Sequence, residues 1–157
     1  MTTLPVARIL HREGRWSGPS ETCTLDYDSR FLRRKRLITD AGSAFVVDLA
    51  QTTSLDHGDA LETGDGTRIM IRAAPEEVLV VTGGNLARLA WHIGNRHTPC
   101  QIGAGHLVIR NDPVIARMLG HLGATLTAAR QPFTPEGGAY GHGRTHAHEH
   151  GARGHAH

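Results

Sequence analysis

The sequence predicts an α+β protein with an all-β first half, a second half that mixes strands with two helices, and a disordered histidine-rich tail. Three observations carry this. Apolar residues recur with strand-like periods up to Ala73-Ala74-Pro75 and change period beyond it. Two later segments carry helix start and stop signals. After Thr134 the apolar periodicity ends and histidine and glycine dominate.

In the first half, LPVARIL opens with an apolar run and TCTLDYD alternates as a half-buried strand would. FLRRKRLITD follows, and Gly42 suits a turn before the apolar FVVDLA. LDHGDALETGDGTRIMIRA holds two strand-like pieces, with Asp65-Gly66 as a hairpin signal between LET and TRIMI. Residues 1–74 are thus expected to form a small barrel or sandwich.

EEVLVVTG then reads as a buried strand. Asn85 is a good N-cap for NLARLAWHIGNRH, which places Leu86, Leu89, Ala90 and Ile93 on one face; Pro99 ends it. PCQIG and HLVIR are short strands joined by Gly103-Ala104-Gly105. DPVIARMLGHLG is a second helix, capped by Asp112, with Pro113 at its first position and Gly123 closing it. Its apolar stripe is Val114, Ile115, Met118, Leu119 and Leu122, and ATLTAARQPF is the last strand. The order β-α-β-β-α-β over residues 75–133 is the ferredoxin-like arrangement. Residues 134–157 hold too few apolar side chains to offset their ordering entropy and are expected to be disordered.

Composition narrows the function. Aromatics make up only 4% of the chain, so each half must build a modest core from Leu, Val, Ile and Ala, and dimerisation is the expected way to bury more. A formal charge of +2 argues against a dedicated nucleic-acid binder. MTTLPVARIL lacks the features of a signal peptide, and no apolar run approaches the ~20 residues of a membrane helix. With two cysteines only, Cys23 and Cys100, a cytoplasmic protein with reduced thiols is expected. No H-E-x-x-H, P-loop, G-x-S-x-G or C-x-x-C occurs, and Thr82-Gly83-Gly84 lacks the rest of a phosphate fingerprint, so no enzyme is predicted.

Histidine is the unusual residue, with twelve in the chain. His142, His146, His148, His150, His155 and His157 crowd the tail, where a flexible chain can wrap several imidazoles around one ion. A solubilising tail or a purification tag is the alternative, although a tag would be an unbroken run. Protonation of these imidazoles competes with the metal as pH falls towards about 6. Composition does not choose among Ni(II), Zn(II) and Cu(II). His97 ends the first helix, where a histidine is often only a partner for the helix dipole. A single imidazole is too few for a site, but a two-fold axis would supply two. His92 does not share its helical face, and His106 and His121 read as surface or structural residues. His11 and His57 stand alone, and Cys100 reads as a buried thiol more than a soft ligand. The Arg33-Arg34-Lys35-Arg36 cluster fits either a docking site for an acidic surface or nucleic acid, or a strand edge kept soluble by charge.

The RRKR, LDHGDALETGDG and EEVLVV segments, LARLAWHIGNRHTPCQI, the NDPVIARMLGHLG helix and PFTPEGGAYGHG together resemble the urease accessory proteins of the UreE type, a family of nickel metallochaperones. The resemblance spans about residues 4–141. It implies a partner- or peptide-binding β domain and a ferredoxin-like domain that binds metal and forms a homodimer. By similarity, His97 matches the family's GNRH histidine, paired across subunits on nickel, and the tail histidines resemble ends that bind further ions. The implied partners are an accessory GTPase and apo-urease, with no nucleic acid or membrane. Some members carry extra histidines where this chain has Arg110, Asn111, Asp112 and Pro113, so no auxiliary site is expected there. The expected function is delivery of Ni(II) to urease. A general nickel or zinc buffer is the rival, and an RNA-binding module using RRKR is a third reading, disfavoured by few aromatics.

Overall fold

The computed structural model describes residues 3–137 and Arg144. The chain divides into two compact units, one ending at Ala74 and the next beginning at Pro75. Among the described residues, no helix is long and apolar enough to cross a membrane.

The first unit contains β1 (Val6–His11), β2 (Glu21–Leu25), a 3₁₀ turn at Asp28–Arg30, β3 (Phe31–Ile38), β4 (Ala44–Ser54), β5 (Ala60–Thr63) and β6 (Arg68–Ala73). They form one sheet in the order β2-β6-β5-β1-β4-β3. β1 runs parallel to β4 and β2 parallel to β6; the other neighbours are antiparallel. Asp65-Gly66 does form the β5–β6 hairpin, with Gly66 at φ +88°.

The two edges of this sheet meet. The Asp40 amide donates to the Thr22 carbonyl at 2.8 Å, and its carboxylate accepts from both the Thr22 and Thr24 hydroxyls and the Thr24 amide. Those bonds, the Thr22 hydroxyl first, hold Asp40 below the usual carboxylate range. The sheet therefore curls around a core that includes Phe45, Val47, Leu61 and Ile71. Cys23 sits in that core, where burial and then the Asp40 charge push its thiol up to about 11.

Two charged groups are buried beside this core. Arg30, 2% exposed, donates to the carbonyls of Leu25 and Leu55. Asp59, 1% exposed, accepts from Arg12 Nη1 at 2.8 Å and from the amides of Glu13 and Asp56. A buried carboxylate needs this many donors to offset its lost hydration. Asp59→Asn keeps the shape but removes the charge, and an expected loss of about 2 kcal/mol would appear as a lower denaturant midpoint.

The second unit contains β7 (Pro75–Thr82), α1 (Leu86–Asn95), β8 (Gln101–Gly103), β9 (His106–Arg110), α2 (Pro113–His121) and β10 (Thr125–Pro132). Its four strands lie in the order β10-β7-β9-β8 with every neighbour antiparallel. Helix capping follows the local chemistry: Asn85 Oδ1 accepts from the Arg88 amide, and Asp112 Oδ1 from the amides of Val114 and Ile115. Leu89, Ile93, Ile115 and Leu119 pack with Val81, Leu107 and Ile109, so both helices cover one face. Val114, expected in the apolar stripe, is instead 66% exposed, because it lies one position from the buried Ile115 in the first turn.

The chain after β10 departs from expectation. Thr134 donates its amide to Gln101 Oε1 at 2.9 Å, and Glu136 donates its amide to the Cys100 carbonyl at 2.9 Å. Gln101 is paired with Val108, which alternation turns away from the helices, so these residues strap across the helix-free face from the β10 edge to the β8 edge. Phe133, which leads into the strap, is 0% exposed. The tail expected from Thr134 thus begins with a short segment tied to the fold at Thr134 and Glu136 by bonds that no periodicity encodes. The disorder expected beyond them lies outside the described residues.

Candidate metal centre

α1 ends in a defined way. Its C-cap is Arg96, the His97 amide donates to the Gly94 carbonyl at 2.9 Å, and the Thr98 amide to the Ile93 carbonyl at 3.2 Å. This pair of bonds is a Schellman motif, and it requires left-handed backbone at the residue after the cap. That residue is His97, at φ 58°. α2 ends in the same motif: Gly123 donates to Gly120 at 3.1 Å and Ala124 to Leu119 at 3.0 Å. There the left-handed residue is glycine, at φ 88°.

The two helix ends form an internal comparison. Glycine adopts this conformation freely, whereas a β-carbon costs roughly 1–2 kcal/mol. Among the described residues, His97 is the one non-glycine with positive φ. Backbone strain of this kind clusters at functional sites. The motif places His97, an exposed residue, just beyond the end of α1.

The other described histidines have local partners or line a groove. His11 Nε2 lies 2.7 Å from Glu62, and His57 Nδ1 accepts the Ala73 amide at 3.1 Å. The His106 ring lies over Gly103, where a β-carbon would overlap it, and bonds the Ala104 carbonyl. His92 sits edge-on to Trp91, with ring centroids 5.0 Å apart. His92 and His121 line a cavity of about 500 Å³ between α1 and α2. Arg96 and Arg117 share that lining, so its charge opposes a cation.

Cys100 is half-buried against the core of the unit. Burial, and then the Glu136 charge, push its thiol up to about 11, which disfavours the thiolate that metals bind. Among the described residues, no group of three or more His, Cys, Asp or Glu could hold a metal ion. Among the described residues of one chain, His97 therefore has no such cluster around it. His142, His146, His148, His150, His155 and His157 lie outside the described residues. Sequence reasoning placed His97 correctly at a helix end but missed its left-handed backbone, and it missed the strap that brings residue 136 beside Cys100. Thr98-Pro99 after GNRH was the available signal, since proline commonly follows a closed helix end.

Comparison with known proteins agrees with this layout. The family described as UreE urease accessory protein, N-terminal domain, matches residues 6–74, and its C-terminal domain matches residues 76–157. A urease accessory protein UreE from Cereibacter sphaeroides is 62% identical over 152 residues, covering 96% of this chain and 83% of that protein. One from Ruegeria pomeroyi is 60% identical over 147 residues, covering 94% of this chain and 99% of that protein. A third, from Paracoccus denitrificans, is 61% identical over 77% of each chain. The chain belongs to the UreE family of urease accessory proteins.

Proposed function

We propose that this protein is a cytoplasmic nickel metallochaperone that carries Ni(II) to the urease assembly machinery, with the accessory GTPase and apo-urease as partners, and is not itself a catalyst. The observation that carries the reading is the left-handed His97, held where the equivalent turn of α2 uses Gly123. Two copies related by a two-fold axis would supply two imidazoles to one ion. Zn(II) and Cu(II) would compete for the same donors.

The second unit is read here as ferredoxin-like, on its strand order and its two helices on one face. Its exposed apolar side chains favour a homodimer: Trp91 is 63%, Ile102 55% and Val114 66% exposed. The strap supports a joint role for the tail. It ties Glu136 to Cys100, three residues from His97, and His142 follows six residues later. An extended chain of that length reaches about 20 Å. Tail imidazoles could then join or replace a ligand at His97 without the ion passing through water. Such stepwise exchange suits a carrier better than a store.

A calorimetric nickel titration tests this on the full chain, on a chain ending at Gly141 and on His97→Ala. The truncated chain is expected to retain about one nickel per two chains, and His97→Ala to lose that site while keeping tail binding. If the truncated chain binds no nickel, the His97 site is wrong and a tail-based buffer takes its place.

A further inference from the structure

The Arg33–Arg36 cluster plays no part in metal binding, and the sheet register shows where it sits. Arg36 lies opposite Val46, and Val46 opposite Val6; Arg34 lies opposite Asp48. Partners directly opposite in a ladder share a face. One outer face of β3, β4 and β1 therefore carries Arg34 and Arg36, with Val46 and Val6 half-exposed beside them. Arg8 reaches into the same area, its Nε 3.6 Å from the Asp48 carboxylate. Three guanidiniums thus face one carboxylate, and that one is engaged by Arg8. Arg33 and Lys35 add two more exposed cations on the strand.

Beyond Asp48, no carboxylate among the described residues pairs with this cluster. Glu62, on β5 beyond β1, is already held by His11 at 2.7 Å and Arg68 at 3.5 Å. Among the described residues, none of Arg33, Arg34, Lys35 and Arg36 makes an ion pair. Ile38, 53% exposed, continues the face at the end of the strand.

We propose that this face docks an extended acidic segment of a partner protein, with carboxylates at alternate positions meeting Arg34 and Arg36. Residues two apart on a strand are about 6.6 Å apart on one face, and an extended peptide repeats at that distance. The aliphatic side chains of Val46 and Val6 lie beside Arg36, not the aromatic rings on which unpaired nucleotides stack, so a peptide is favoured over single-stranded RNA. A second copy of the chain would bring like charges together and is excluded as the occupant.

The probe is a labelled short peptide alternating glutamate and threonine, titrated into the full-length protein by fluorescence anisotropy at low and moderate salt. Its controls are a peptide of the same composition in two blocks and a short single-stranded RNA. The alternating peptide is expected to bind tighter than the block peptide, and Arg34→Gln/Arg36→Gln to weaken it about tenfold with the thermal midpoint and nickel stoichiometry unchanged. Asp48→Asn removes the competing carboxylate and is expected to tighten binding severalfold, a change that a purely structural role would not produce. Equal binding of both peptides, preference for the RNA, or no effect of either variant overturns the proposal. If the double variant fails to fold, the Asp48→Asn result decides alone.

Discussion

His97→Gly is expected to leave the protein more stable than the parent and, on the proposed function, unable to hold nickel at the site proposed between two chains. Left-handed backbone at a residue with a β-carbon costs ~1–2 kcal/mol. Glycine loses ~0.4–1 kcal/mol more chain entropy on folding. The balance is a gain of about 0.5–1 kcal/mol, localised to the Schellman turn that closes α1. A melt of the second unit should move up by about 4 °C, the usual scale for a domain this small. His97→Ala separates the two effects: it keeps the strained backbone and loses the imidazole, so nickel is lost without stabilisation. Thermal melts and nickel titrations on both variants check this pair of outcomes. If glycine brought no stability, the helix end would not be strained and the main support for His97 as the working group would go.

Phe133→Ala is expected to have the largest effect on stability. The ring is 0% exposed, and deleting a buried phenylalanine side chain costs about 3–5 kcal/mol. The loss should not be confined to packing. Thr134 and Glu136 follow directly, and their amide bonds to Gln101 and Cys100 depend on the chain being held at that point. Hydrogen exchange at these two amides should accelerate even under conditions where the sheet remains folded. Denaturant unfolding gives the stability change and exchange gives its location; unchanged protection at residues 134 and 136 would show that Phe133 does not anchor the strap.

These two residues mark what was legible in the sequence. Both helices and their caps could be read, because Asn85 and Asp112 act on amides two or three residues away. The Asp65-Gly66 hairpin was readable for the same reason: turn chemistry is local. Strand partnership was not. Nothing in the alternation of VARIL or FVVDLA says that β1 lies parallel to β4, because period two records which face is buried and not which strand lies alongside. The left-handed turn at His97 was hidden because glycine is the usual marker of such turns. The strap was hidden because PFTPEGG has no period and its bonds run to residues more than thirty positions earlier. The RRKR cluster was visible as charge, but only the register to Val46 and Asp48 put Arg34 and Arg36 on a common face.

The parallel pairs of the first unit also bear on how the protein is made. Val6 pairs with Val46, and Glu21 with Ile69, so the first strand waits for the fourth and the second waits for the sixth. Loop closure must precede any reward from such contacts, which makes folding slow and leaves little to stabilise a partial chain. On the ribosome this unit would stay uncommitted until Ala73 has cleared the exit tunnel, and would then form in a single cooperative step.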